Sequence, residues 1–349
     1  MNICFLTAEV PNPISGGIEN VTLHLTRALQ SRGHRVFWIS LDATASGFGQ
    51  DADGHISIGR HGDIPPNSID FISTNNINII INQAIDERLH QLVSVLRKSD
   101  IANLKFVKVF HTDPLYLIKG IRDKEPLYCE KSAIWRYIYK LLPTTQIRRY
   151  RRKAYSKSLY LRWLNLYNRI ILLSESNIPD FYSITGSNDN GQITAIGNPI
   201  TTRIQSGIDT KEKIVLFVGR MHREAKRPDR LLKIWRKIGL IHPDWKLIFI
   251  GDGPMRPCLE KYSKLHKFSD NVQFVGQTNP QDYYKKASIL CMTSTYEGFP
   301  LVCIEALSNG VIPMAFDSFK AVRDLIRDGE TGLLVKPIVS VSMPADSNH

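Results

Sequence analysis

The sequence predicts an α/β fold with two doubly wound domains that face a cleft, and three observations lead to it. Residues 2–8 have the apolar pattern of a buried strand, and a loop, a helix over about residues 18–32 and a second strand follow. This β-loop-α-β order is typical of the start of a doubly wound sheet. The same alternation restarts at residues 213–220, and the length of 349 residues exceeds one usual domain.

The boundary between the two domains is predicted from composition. The stretch over residues 201–213 is polar and has no apolar period, which is typical of a linker. We therefore expect a first domain over residues 1–200, a second over residues 201–337 and an irregular tail over residues 338–349. Hydrophobic residues make up 43% of the chain and charged residues 22%, which suffices for two apolar cores.

Two predicted strands of the first domain end in residues that could bind a ligand. Gly16 and Gly17 follow the first strand, where glycine allows a close approach to the backbone, and His111 ends the strand over residues 104–111. In open α/β sheets, ligands bind at the carboxyl ends of the strands. An ordinary turn and a structural histidine are alternatives. The glycines do not form G-x-G-x-x-G, which argues against a nicotinamide-dependent oxidoreductase.

A basic and aromatic segment covers residues 131–169, with eleven Lys or Arg residues and no Asp or Glu. The densest group is Arg148, Arg149, Arg151, Arg152 and Lys153. The interleaved aromatic residues are Trp135, Tyr137, Tyr139, Tyr150, Tyr155, Tyr160, Trp163 and Tyr167. This mixture on a predicted helix favours an anionic membrane surface, and the net charge of +12 agrees with an acidic partner.

Two other interpretations of the basic segment are a solvated helix and a site for single-stranded nucleic acid. No signature of a nucleic-acid-binding module accompanies it, so we expect no nucleic-acid partner.

The stretch YEGFPLVCIE, residues 296–305, combines a glycine-containing loop with the start of a helix predicted over residues 300–308. Glu297 lies in the loop, beside a helix N-terminus that can bind an anion. Glu305 lies in an otherwise apolar helix, where a carboxylate is costly unless it is exposed or has hydrogen-bond donors, for which ribose hydroxyls are suitable. A loop charge and a solvent-facing glutamate are the alternatives, but the pair around Gly-Phe-Pro favours a site.

This stretch resembles the E-x7-E motif of retaining glycosyltransferases with the GT-B fold, of the family 4 (group 1) type, which includes many bacterial polysaccharide enzymes. The resemblance extends over roughly residues 1–336. It implies two Rossmann-like domains, the first for the acceptor and the second for a nucleotide sugar.

The resemblance also implies roles for individual residues. His111 would contact the transferred sugar, and Arg220 and Lys226 would bind the diphosphate with neither a metal nor a cofactor. Arg223 and Arg227, in the same loop, are expected to be exposed. Glu297 completes the implied catalytic group, and Glu305 would accept the ribose hydroxyls. The other implied donor-binding positions are Gly16, Gly17, Gly251, Val275, Gly298, Phe299, Pro300 and Leu301.

The implied activity is transfer, with retention, from a nucleotide sugar to a lipid-linked saccharide or a polysaccharide acceptor. A UDP-sugar is favoured and a GDP-sugar is possible. The first residues do not form a signal peptide, no apolar run is long enough to span a bilayer, and the five cysteines are scattered. We therefore expect a cytoplasmic protein with reduced thiols, peripheral at the inner membrane face.

The chain departs from the family pattern at its end, where only twelve residues follow GLLVKP. The crossover helix that the family carries there is expected to be missing. A truncated, non-catalytic nucleotide-sugar-binding protein is therefore an alternative to the enzyme.

Overall fold

The computed structural model describes residues 1–12, 16–42, 50–120, 144–201 and 210–337. The strands are β1 (Asn2–Thr7), β2 (Arg35–Ser40), β3 (Gly54–Ser57), β4 (Ile79–Asn82), β5 (Lys105–Phe110), β6 (Arg169–Leu172), β7 (Ile193–Ala195), β8 (Glu212–Val218), β9 (Lys246–Ile250), β10 (Val272–Gly276), β11 (Ala287–Met292), β12 (Ile312–Phe316) and β13 (Leu333–Val335). The α-helices are α1 (Gly17–Gln30), α2 (Asn67–Thr74), α3 (Glu87–Leu96), α4 (Tyr116–Lys119), α5 (Thr144–Leu166), α6 (Ile178–Thr185), α7 (Pro228–Ile238), α8 (Arg256–Leu265), α9 (Gln281–Lys286), α10 (Leu301–Ser308) and α11 (Val322–Leu325).

The strands form two separate sheets in which every paired neighbour is parallel. The first sheet has the order β3-β2-β1-β4-β5-β6-β7, and the second has the order β10-β9-β8-β11-β12-β13. In each sheet the order reverses beside the first strand, which is the doubly wound arrangement that the sequence predicts. The two-sheet α/β architecture is therefore confirmed.

Both sheets are buried by helices whose apolar residues recur at helical spacing. In α5, Tyr160 and Trp163 are fully buried and pack with Phe110 of β5 and Phe181 of α6. In the second sheet, the apolar face of α7, including Trp235, covers the core. These contacts hold the carboxyl ends of the strands in fixed positions, where the loops of the candidate site begin.

The carboxyl edges of the two sheets touch. A Cβ atom on Gly298 would lie 2.2 Å from the carbonyl oxygen of His111, so the two backbones are in direct contact. Asn198 donates to the carbonyl oxygen of Phe299 at 3.1 Å, and Ser174 donates to the carboxylate of Asp324. The two edges therefore form opposite walls of one cleft.

Some local predictions need correction. The helix predicted to start at Pro300 starts at Leu301, because Pro300 is the N-cap with an extended ψ of 107°. Cys258 is disulfide-bonded, although the scattered cysteines predicted free thiols. Spacing alone cannot show which cysteines the fold brings together. The tail over residues 338–349, and with it the predicted absence of the crossover helix, lies outside the described residues.

No described helix is both long enough and apolar enough to cross a bilayer.

Candidate active site

The loops after β8 and β11 bring Lys226 and Glu297 together. Lys226 Nζ lies 2.8 Å from Glu297 Oε1, and the hydroxyl of Ser294 donates to the same oxygen at 2.7 Å. The exposed fractions of the Lys226 and Glu297 side chains are only 21% and 14%. β8 and β11 are neighbours in the sheet, and the amide of Thr295 donates to the carbonyl of Ala225, which joins their loops. Two predicted catalytic residues thus form one partly buried ion pair.

Glu305 lies on α10 and is 8% exposed. Its Oε1 accepts from Thr201 Oγ1 at 3.1 Å, and its Oε2 accepts from the hydroxyl of Tyr284 at 3.0 Å. Burial raises the pKa of this carboxyl, and the two hydroxyls and the charge of Lys226 oppose the rise. The sequence indicated ribose hydroxyls as the donors; the structure adds two protein hydroxyls, which no local motif marks.

Arg220 is exposed at the end of β8. Its side chain reaches the loop with Gly16 and Gly17 in the opposite wall, which we call the glycine loop. A Cβ on Gly16 would lie 3.6 Å from Arg220 Nη2 and 2.6 Å from Glu19 Oε2, and a Cβ on Gly17 would lie 3.2 Å from Leu301 Cδ1. Both positions therefore have little room for a side chain. The predicted glycine loop and the predicted cation face each other across the cleft.

Gly251 follows β9 and packs on the backbone of the β8 loop. Its φ of +123° is strained for other residues, and a Cβ there would lie 2.2 Å from the carbonyl oxygen of Gly219. The amide of Gly251 donates to the carbonyl of Gly276 at 2.8 Å, next to the half-buried Val275. The predicted base-pocket residues therefore lie together beside the loop that carries Arg220 and Lys226.

His111 follows β5, and the residue as a whole is half-buried. Its Nε2 hydrogen-bonds to Oε1 of Gln83, which follows the neighbouring strand β4. Burial, and secondly the charge of Lys108, lowers the pKa of His111 to about 3, so the ring is neutral at physiological pH. The contact of its backbone with Gly298 places His111 in the cleft wall opposite the glutamate loop.

The basic segment is only partly exposed, which corrects the prediction that its aromatic residues face a membrane. Tyr160, Trp163 and Tyr167 are buried in the first core. Their spacing of three and four residues is that of a buried helix face, a signal present in the sequence. Tyr150 and Tyr155 are 77% and 58% exposed. Trp135, Tyr137 and Tyr139 lie outside the described residues.

The five densest cations do not share one surface. Arg149, Arg151 and Lys153 are exposed, whereas Arg148 is half-buried. Arg152 is also half-buried and donates to the carbonyl of Leu117 at 2.9 Å, so it faces the protein. Of the five predicted surface cations, three are therefore exposed.

Arg227 is not exposed, contrary to prediction. It is 9% exposed and pairs with Asp229 through two contacts, Nε to Oδ1 at 2.9 Å and Nη2 to Oδ2 at 3.0 Å. This pair fixes the end of the β8 loop at the start of α7. It leaves Lys226 as the loop cation beside Glu297, while Arg223 is half-buried.

Within the residues that the structure describes, no group of three His, Cys, Asp or Glu side chains is placed to hold a metal ion.

Comparisons with known proteins can be set beside this geometry. Residues 200–345 match the model of the family described as glycosyl transferases group 1. An uncharacterized glycosyltransferase of Haemophilus influenzae is 35% identical over 144 residues, 41% of this chain and 40% of that protein. The Campylobacter jejuni GalNAc-α-(1→4)-GalNAc-α-(1→3)-diNAcBac-PP-undecaprenol α-1,4-N-acetyl-D-galactosaminyltransferase is 32% identical over 168 residues, 45% of this chain and 46% of that protein. The aligned part of the chain therefore spans less than half of these relatives.

The fold comparison covers nearly the whole chain. The crystal structure of Anabaena HepE in complex with UDP has a TM-score of 0.65 and is 17% identical in sequence, and the match covers 97% of this chain and 86% of that chain. The likeness confirms the GT-B fold with its two Rossmann-like domains.

Proposed function

We propose that the protein is a retaining glycosyltransferase that moves a sugar from a nucleotide-sugar donor to a lipid-linked saccharide or a polysaccharide acceptor. The observation that carries the proposal is the Lys226–Glu297 pair, with Arg220 opposite the glycine loop and Glu305 on the adjoining helix. The match of residues 200–345 to the group 1 family supports it. Residues 1–200 would bind the acceptor, and residues 201–337 would bind the donor.

The leaving diphosphate is assigned to Arg220 and Lys226. Negative charge grows on this group as the glycosidic bond breaks, and prepositioned cations stabilise it without reorganisation. An ammonium has three donors, and one of those of Lys226 is used by Glu297. The start of α10, with Gly298, Phe299, Pro300 and Leu301, would add backbone N–H groups, and Glu297 would hold sugar hydroxyls.

The nucleoside is assigned to Glu305, Gly251 and Val275. A carboxylate has about four acceptor sites, so the two protein hydroxyls on Glu305 leave room for ribose hydroxyls. The backbone around Gly251 and Val275 would line the base. A UDP-sugar is the preferred donor, which the UDP complex of HepE supports, and a GDP-sugar is the second choice.

Retention is assigned to front-face attack, with the donor phosphate as the base. The carboxylate of Glu297 is already bound by Lys226 and Ser294, which makes it a poor nucleophile. The implied reaction needs neither a metal nor a cofactor from the protein.

The acceptor is assigned to the first domain and, for a lipid-linked saccharide, to a membrane surface. The Campylobacter relative, whose name specifies an undecaprenol-linked saccharide, supports this class of acceptor. The exposed cations Arg149, Arg151 and Lys153, with Tyr150 and Tyr155, would contact anionic lipid.

The test is a screen of nucleotide sugars by thermal shift, followed by transfer to lipid-linked acceptors and assignment of the product anomer by NMR. We expect stabilisation by one donor, turnover, and the anomeric configuration of that donor in the product. An inverted product would overturn retention. Donor binding without transfer to any acceptor would favour the non-catalytic alternative, and binding of NADH alone would favour the oxidoreductase.

A further inference from the structure

A hydrogen bond joins Gln83, after β4, to His111, after β5, and the proposed function gives Gln83 no role. Gln83 is 1% exposed, and its Oε1 is the partner of His111 Nε2. With the amide in this orientation its oxygen can only accept a hydrogen bond, so Nε2 of His111 carries the proton, and Nε2 of Gln83 is buried without a partner among the described residues. A neutral imidazole has one N–H, which leaves Nδ1 of His111 as an acceptor.

Nδ1 of His111 is available to a ligand. It makes no hydrogen bond to the residues that the structure describes, and it is not among their buried, unsatisfied side-chain atoms. The residue as a whole is half-buried, and its backbone contacts Gly298 of the opposite wall. The free acceptor therefore opens on the cleft.

Lys108 lies behind this contact and is fully buried. Its Nζ donates to the carbonyl oxygen of Ala84 and lies 3.4 Å from that of Asn82, the residues on either side of Gln83. Lys108 thus fixes the short segment that holds the amide. Asp113, two residues after His111, pairs with Lys119 at 2.5 Å, so its charge is already compensated.

We propose that Gln83 is a positioning residue that holds His111 as the Nε2–H tautomer, so that Nδ1 accepts a hydrogen bond from a hydroxyl of the sugar substrate. Lys108 supports the same arrangement by holding the backbone on both sides of Gln83. The role in transfer rests on the proposed function, but the tautomer does not. The chemistry selects a hydroxyl-bearing ligand and disfavours a carboxylate or phosphate at this position, because Nδ1 has no proton to donate.

His90 provides a control with the opposite tautomer. Trp163 Nε1 can only donate, and it lies 3.1 Å from His90 Nε2, so this nitrogen is the acceptor. His90 Nδ1 then donates to the hydroxyl of Tyr167 at 2.7 Å. Burial, followed by the charges of Lys108 and Arg162, lowers the pKa of His90 to about 2, so both rings are neutral near pH 7.

The deciding experiment is long-range ¹H–¹⁵N NMR of the ¹⁵N-histidine-labelled protein, with His90→Gln and His111→Gln used for assignment. We expect Nε2–H at His111 and Nδ1–H at His90 from pH 5 to 8. Gln83→Leu should move His111 towards the Nδ1–H tautomer and leave the His90 signals unchanged. A wild-type Nδ1–H ring at His111, or the same His111 signals in Gln83→Leu, overturns the proposal.

Kinetics separate positioning from a structural role. Gln83→Leu should lower kcat roughly tenfold, the effect of one misplaced hydrogen bond, with UDP affinity unchanged. Gln83→Glu places a carboxylate beside the ring and favours the imidazolium form of His111. The activity of this variant should therefore fall as the pH is lowered towards 5, whereas the activity of wild type should not fall for this reason. If the tautomer is as expected but His111→Ala transfers sugar at the wild-type rate, the role in transfer is overturned. If wild type transfers no sugar, the proposed function fails while the tautomer is still decided by NMR.

Discussion

The two walls of the cleft differ in the charge that they present to a ligand. The wall formed by the second sheet presents Arg220 and the Lys226–Glu297 pair, all at least partly open to solvent. The wall formed by the first sheet presents the neutral ring of His111 and the amide of Gln83, while its nearby cation, Lys108, is buried against carbonyl oxygens. The difference teaches that the second domain would recognise the diphosphate through charge, whereas the first domain would add a neutral acceptor for a sugar hydroxyl.

Solvent access accounts for this division. A partly exposed ion pair retains hydration, so it can exchange partners with a phosphate at small cost. A fully buried cation lacks water, so Lys108 keeps its carbonyl partners, and burial lowers its pKa well below the ordinary value. The first wall can therefore supply fixed hydrogen-bond geometry, and the second can supply charge that is partly open to solvent.

The largest expected effect tests the charged wall. Lys226→Ala and Arg220→Ala should each lower kcat by roughly 10²- to 10³-fold, because each would remove one of the two cations that we propose stabilise the leaving diphosphate. Initial rates at saturating donor measure the effect. Lys213→Ala is the matched control, since Lys213 pairs with Asp244 on the surface and both side chains are more than half exposed. Wild-type turnover in both active-site variants would show that the charges of the second wall do not contribute to transfer.

The second prediction asks whether the first domain also carries a charge function, away from the cleft wall. Each cation near an anionic bilayer contributes about 1 kcal/mol, so Arg149→Ser/Arg151→Ser/Lys153→Ser should weaken binding to anionic vesicles by up to roughly 10²-fold. Cosedimentation at low salt measures this, and added salt should weaken wild-type binding in the same way.

The control for vesicle binding removes three exposed cations from α7 of the second domain, by Lys233→Ser/Arg236→Ser/Lys237→Ser. It loses the same net charge but should keep most of the binding. Equal losses in both triple variants, or binding of wild type to neutral vesicles, would contradict a membrane surface on α5.

Glu305 differs from the other charged residues of the second wall, because its carboxylate is buried. Glu305→Gln should weaken UDP binding roughly tenfold, measured by calorimetry, because the ribose loses a charged acceptor. Burial raises the pKa of Glu305 in the folded state above its unfolded value, so the folded state binds the proton more tightly. The stability from this proton binding is present at low pH and is lost as pH rises through the folded pKa.

The Tm of Glu305→Gln minus the Tm of wild type should therefore increase as the pH is raised from 4.5 to 7.5. A Tm difference that is independent of pH would show that Glu305 is not the titrating group.

The smallest expected effect is that of a chelator. EDTA should leave transfer unchanged, because Arg220 and Lys226 would supply two positive charges at the proposed diphosphate position. If activity is lost on chelation and restored by added Mg²⁺ or Mn²⁺, the cations of this wall are not sufficient for transfer without a metal ion.

Several features of the site could be predicted from the sequence because their signals are local. The apolar strands placed His111, Arg220 and the loop with Gly16 and Gly17 at strand ends, the spacing of Glu297 and Glu305 indicated one loop and one helix, and the resemblance to GT-B glycosyltransferases implied their roles. The helical spacing of Tyr160, Trp163 and Tyr167 also indicated the buried face at the end of α5, which Tyr167 continues just after the helix. Composition predicts an exposed surface there and periodicity predicts a buried face, and the burial of these three side chains follows the periodicity.

Side-chain pairing depended on the tertiary structure. The choice of Glu297 as the partner of Lys226 follows from the adjacency of β8 and β11, and the burial of Arg227 follows from its pairing with Asp229. Thr201 and Tyr284 reach Glu305 from a linker and from α9, and neither position has a local signature. Hydrogen bonds and ion pairs act over about 3 Å, so their partners are decided by strand order and helix packing, which bring distant parts of the chain into contact.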